Sequence, residues 1–216
     1  MLVTQRQQGM TLVEMLVSLV AGLLVVAGAL SLFSSVIVSG NTTLMLSRLN
    51  QDVQSATDIM VRDIQRAGYH PSAAQGMNGD ASAASAAEAL VFSTTSDLHT
   101  STGASAPDCI RVKYQDDGES PVATVVRVYS YDSSSKRLEV KNDASVSASL
   151  STLCGTGNAL MAEQEISVDD LRFELVSGSS ATGMRTIRLS LSASHVNRPA
   201  LSVSLQREIK LRNDGY

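Results

Sequence analysis

"QRQQGMTLVEMLVSLVAGLLVVAGALSLF", residues 5–33, is a long apolar run with one carboxylate, Glu14, near its start. Its reading decides how the rest of the chain is read. From Met15 to Phe33 the only polar side chains are Ser18 and Ser31. At about 1.5 Å per helical residue this run crosses roughly 30 Å, the thickness of a bilayer's hydrocarbon core. No Asp, Glu, Lys or Arg occurs between Met15 and Ser47, whereas charges have ordinary density beyond Ser47. The chain is therefore bipartite, one part suited to lipid and the other to water.

The 216 residues suit one medium domain plus an appendage. Net charge is −4 and no Lys/Arg cluster exceeds a pair, so the electrostatic footprint of a nucleic-acid binder is missing and no nucleic acid is expected as a partner. Trp is absent and aromatic content is 4%, which gives poor support to a base-stacking or sugar-stacking platform.

A cleaved secretory signal has a shorter apolar region than this one, although the small residues Ala27 to Ser31 resemble a cleavage site. A plain single-pass anchor explains the length but leaves Glu14 open. A carboxylate inside the span costs about 2.5–3.5 kcal/mol, so either Glu14 sits at the interface in contact with water or it meets a partner in hydrocarbon.

The residues around Glu14 bear on that choice. Gly9 is followed by Met10-Thr11-Leu12-Val13-Glu14, after a short polar leader whose one charge is Arg6. This resembles the processing site of type IV prepilins and pseudopilins. The resemblance implies that a membrane-embedded peptidase cuts between Gly9 and Met10 on the cytoplasmic side and methylates the new amine of Met10. It also implies that Glu14 registers an incoming subunit by meeting the terminal amine of its neighbour. Met10 departs from the family's usual Phe, which bears on the efficiency of processing.

Past the apolar run, Leu49, Val53, Ala56, Met60, Ile64 and Ala67 recur at three- to four-residue spacing, which predicts that the helix continues with an amphipathic face. Asp52, Asp58, Arg62, Asp63 and Arg66 fall largely on the other side. Asp58 with Arg62 and Asp63 with Arg66 are spaced as surface ion pairs, each contributing about 0.2–0.5 kcal/mol. Gly68 and Pro71 supply a stop. Gly22, Gly28 and Ser39-Gly40-Asn41 are places where the helix can bend. The ending "VRDIQRAGYH", from Val61 to His70, resembles the stalk end of PilW-like minor pilins and of the J-type pseudopilins of type II secretion, and "IKLRN" at Ile209 to Asn213 resembles their C-terminal strand.

Ser72 to Glu88 is rich in Ala, Ser and Gly and reads as a surface excursion. Strands are predicted at Leu90–Thr94, Ile110–Gln115, Ala123–Tyr131, Arg137–Lys141, Leu171–Val176, Thr186–Ser192 and Leu201–Leu211, several with period-two alternation. "DSSSK", Asp132 to Lys136, reads as a hairpin turn. The fold class is α+β: a long N-terminal helical stalk, its first half transmembrane, packed on an antiparallel β-sheet head. The expected segments are a leader at 1–9, a stalk helix at 10–68 with residues 15–33 in the membrane, and a periplasmic or extracellular head at 69–216.

Cys109 and Cys154 are the only cysteines, and with the leader in the cytoplasm the head lies on the oxidising side, so a disulfide is expected. Two buried free thiols or one exposed reactive thiol are the alternatives. His70, His99 and His195 lack metal-ligand spacing, and neither a G-x-S-x-G nor a P-loop pattern is present. "DDGE", Asp116 to Glu119, lacks the EF-hand ligand pattern and reads as a solvated turn. No catalytic residue, cofactor or metal is therefore expected.

Taken with the resemblance, these residues point to a structural subunit and not an enzyme: a minor pilin held in the bacterial inner membrane with its head in the periplasm. After processing at Gly9 it would join a type IV pilus at or near the tip, at the cell surface. Its partners would be other minor pilins, the major pilin, the inner-membrane assembly platform and prepilin peptidase. The alternatives are a J-type pseudopilin and a non-polymerising single-pass anchored binding domain.

Overall fold

The structure is a computed structural model and describes residues 9–73, 78–79, 81–116, 118, 123–142, 144–179 and 182–211. Residues 1–8 of the leader, Asp117 and Glu119 of "DDGE", and Arg212 and Asn213 of "IKLRN" lie outside the described residues. By its internal contacts the chain divides after Met45 into two units. Helix α1 runs Leu12–Arg66, through Gly22, Gly28 and Gly40.

In the second unit the long helix packs against antiparallel β-sheets, giving the α+β, pilin-like architecture. Leu49, Val53, Ala56, Met60, Ile64 and Ala67, the apolar stripe read from the sequence, are all buried. Their 3.6-residue period puts them on one face, and that face supplies the helix's share of the core.

One sheet has the order β1-β2-β3-β4-β5, with β1 Leu98–His99, β2 Cys109–Asp116, β3 Ala123–Asp132, β4 Arg137–Lys141 and β5 Asn158–Ala159. The other has the order β6-β7-β8, with β6 Ile166–Ser179, β7 Thr182–His195 and β8 Arg198–Lys210. All pairings are antiparallel, and Asp132 to Lys136 forms the β3–β4 turn. Backbone bonds from Phe173 N to Pro107 O (2.7 Å) and Val168 N to Lys136 O (2.9 Å) tie β6 to the first sheet's loops.

Strand alternation explains the two cores. Ile110, Val112 and Tyr114 on β2 join the helix in the main cluster with Tyr129, Phe173, Leu189 and Ile209. Cys109 on the opposite face of β2 joins Val126, Val128, Leu150 and Leu153 in a smaller cluster.

The helix ends at Arg66, and Gly68 takes a positive φ of 79° that a side chain would resist. Gly68 N then donates to Lys113 O (2.8 Å) and Gln115 N to Tyr69 O (2.9 Å), so the Gly-Tyr pair hands the chain directly to β2.

Two expectations are corrected. Part of the Ala/Ser-rich excursion is helical: α2 spans Ala81–Leu90, and Ala, the best helix former, fills most of "ASAASAAEAL". Ala87 and Leu90 anchor that helix in the interior. The strand expected at Leu90–Thr94 does not form. Leu90 closes α2 and Phe92 drops into the core at 2% exposure, so the segment packs by side chains without joining a ladder. A one-turn helix, α3 at Leu150–Leu153, and the short β1 and β5 were beyond the reach of the pattern.

Candidate functional site

In the first unit the chain enters α1 through Thr11. Glu14 N donates to Thr11 O (3.1 Å) and more weakly to Thr11 Oγ1 (3.4 Å). Thr11 and Glu14 have the T-x-x-E spacing of a capping box, a signal the sequence reading passed over. Glu14 lies in the first helical turn, where the unpaired backbone N–H groups favour a carboxylate. Gly9 and Met10 are exposed ahead of the helix, and Glu14 follows four residues after Met10.

Every large apolar side chain from Leu12 to Phe33 is at least 54% exposed, on all sides of the helix. Such a surface is stable only against lipid or other apolar helices. Three of its hydroxyls bond back to the helix: Ser18 Oγ donates to Glu14 O (2.7 Å), Thr42 Oγ1 to Val38 O (2.9 Å) and Thr43 Oγ1 to Ser39 O (3.0 Å). This is the one helix, among the described residues, long and apolar enough to cross a membrane.

In the second unit, the "RDI" end of the helix has a different role from the one expected. Asp63 does not pair with Arg66 along the helix surface. It is 4% exposed and faces β3, where Arg127 donates to it at 2.7 Å. The Tyr129 hydroxyl also donates to Asp63, and Tyr114 OH approaches at 3.4 Å. Burial, then the Asp63 carboxylate, raises the pKa of both phenols above the usual tyrosine value. Arg66 instead lies over the Tyr114 ring at 4.4 Å and pairs with Asp116 at 3.5 Å. A helical wheel puts Asp63 at the border of the apolar stripe, and only the position of β3 decides that it turns inward.

Cys109 and Cys154 are bonded, with Cα atoms 6.1 Å apart. They lie in the head and are not part of the N-terminal constellation. The bond fastens the segment around α3 to β2, on the face that also carries Arg111 and Lys113.

A single apolar helix, entered through Gly-Met-Thr-Leu-Val-Glu and continuing into a helix packed on antiparallel sheets, defines a type IV pilin-like protein. The prokaryotic N-terminal methylation motif matches residues 4–30. The chain belongs to the family described as prepilin peptidase-dependent protein B, which matches residues 42–211. Pilin-type families are structural subunits, and the motif with the apolar helix fits an inner-membrane anchored pilin. No curated protein and no solved structure matches the chain.

Proposed function

We propose that the chain is a PilW-like minor pilin, a structural subunit that primes assembly of type IV pili and is incorporated at or near the tip. In this reading residues 1–9 are the leader, residues 10–68 the stalk and residues 69–216 the head, held in the periplasm until assembly. Prepilin peptidase cleaves between Gly9 and Met10 and methylates the Met10 amine. Other minor pilins, the major pilin and the assembly platform are the partners.

The observation that carries the reading is the all-round exposure of the apolar helix with a single carboxylate in its first turn. Moving such a helix from lipid into a bundle of similar helices gains little from apolar contact, since lipid tails are as apolar as Leu. A polar contribution is needed to favour the bundle and set the register. Glu14 in hydrocarbon costs about 2.5–3.5 kcal/mol, and a neighbouring subunit's terminal amine relieves that cost at one axial position only.

The test is mass spectrometry of the mature N-terminus together with pilus recruitment. The wild-type chain begins at methylated Met10. Gly9→Val keeps the leader and is not recruited. Glu14→Gln is cleaved and methylated but recruited at least tenfold less. A chain that keeps residue 1 in cells containing the peptidase, or full recruitment of Glu14→Gln, refutes the proposal. Loss of protein secretion with intact pili on deletion would assign the chain to the J-type pseudopilins. An uncut chain with a dispensable Glu14 would make it an anchored binding domain.

A further inference from the structure

We infer that the head carries a second site, a pocket for a polyhydroxylated monocarboxylate of the hexuronate type, between β2 and the disulfide-tied segment 146–151. The pocket is an open depression of about 590 Å³, within the size range of small-ligand sites. Its charge is unbalanced. Arg111 and Lys113 line it with side chains only 5% and 7% exposed, and both converge on one fully buried carboxylate: Arg111 Nε at 2.7 Å and Lys113 Nζ at 3.0 Å from Asp97. Two cations against one anion leave a surplus of one positive charge, and His99, which also lines the pocket, adds no negative charge.

The two cations are not equivalent. Arg111 is engaged by Asp97, by Ala148 O at 2.6 Å and by Ser96 O at 2.9 Å. Lys113 has three N–H donors, and among the described residues its ammonium meets Asp97 alone. A buried charge in excess favours an anion that brings acceptors to it. One surplus charge selects a monoanion; a phosphate dianion would leave the pocket net negative.

The hydroxyls of the lining set the rest of the ligand's chemistry. Ser147, Ser149 and Ser151, all exposed, line the pocket, as does Thr95. Ser149 Oγ lies 2.9 Å from Ser151 Oγ and Ser147 Oγ 3.3 Å from Ser145 Oγ, so each hydroxyl retains capacity for a further hydrogen bond. A carboxylate carried on a ring of hydroxyls meets the ammonium and the serines together, as neither acetate nor a neutral sugar does. The Arg111–Ala148 hydrogen bond and the Cys109–Cys154 bond hold the serine segment in place.

The test is calorimetric titration of the full-length chain in detergent micelles with glucuronate, glucose and acetate. Glucuronate should bind saturably, and glucose and acetate at least tenfold more weakly. Lys113→Met should weaken glucuronate binding at least tenfold. Ser149→Ala and Ser151→Ala, at exposed positions that tolerate change, should weaken it severalfold and keep the result interpretable if Lys113→Met does not fold. Galacturonate compared with oligogalacturonate separates the sources: tighter binding of the oligomer identifies a polymer, and equal or weaker binding a free sugar acid. No glucuronate binding, or equal binding of glucose or acetate, overturns the inference. So does undiminished binding by folded Lys113→Met or by both serine variants.

Discussion

Replacing Asp63 by Ala separates the two readings of the helix end. If Asp63 belonged to a surface pair with Arg66, its loss would cost no more than about 0.5 kcal/mol. In the structure it is the buried acceptor for Tyr129, whose residue is fully buried, and for Arg127, whose side chain is 36% exposed. Orphaning the Tyr129 hydroxyl costs about 1–3 kcal/mol. Arg127 can rehydrate, so its share is close to that of a surface pair, about 0–1 kcal/mol. Ala at a helical site returns about 0.5 kcal/mol through propensity. The net expectation is a loss of about 0.5–3.5 kcal/mol, a fall in Tm of roughly 1–14 °C for a head of this size.

The assay is thermal unfolding of the full chain in detergent, followed by near-ultraviolet circular dichroism of the tyrosines. Asp63→Asn, which keeps one acceptor, should lose about half as much. A double-mutant cycle with Tyr129→Phe should return a coupling of about 1–2 kcal/mol. A change within 0.5 kcal/mol for Asp63→Ala, or additive effects in the cycle, refutes the assigned role of the carboxylate.

Two other perturbations test the head. Replacing Cys109 and Cys154 by Ala should cost about 2–4 kcal/mol by releasing a loop of sequence separation 45. Chemical denaturation should then show no further loss on adding reductant, and an unchanged midpoint would contradict the bond. The raised phenol pKa values of Tyr114 and Tyr129 mean that the folded head keeps protons that the unfolded chain releases above its ordinary value of 10.0. Stability from these groups is therefore full below about pH 10 and falls as pH rises past it. Phenolate absorbance should show them ionising only as the head unfolds. A Tyr129 midpoint near 10 in a folded head would contradict its burial against Asp63.

The corrections share one cause. Local pattern carries the sign of a residue's environment only when its neighbours in sequence are also its neighbours in space. Asp63 is three residues from Arg66, yet its partners Arg127 and Tyr129 are more than sixty residues away in sequence. For the segment 81–90, Ala and Ser suit both loop and helix, and burial of Ala87 and Leu90 selects the helix. Phe92 looked like part of a strand because a buried aromatic is common there, whereas here it fills the core from a loop.

The amino-acid order by itself determined the apolar helix, its Gly-Met-Thr-Leu-Val-Glu entrance, the amphipathic continuation to Ala67 and most of the strands. Each of these rests on periodicity or on residues within one or two helical turns, so no distant partner is required. Only the tertiary structure decided which polar side chains turn inward. It joined Asp63 to Arg127 and Tyr129, set Arg111 and Lys113 on one carboxylate, and laid the serine segment beside them. Those arrangements depend on the antiparallel register of β2 with β3 and on loop closure by the disulfide, which bring residues dozens of positions apart within hydrogen-bonding distance.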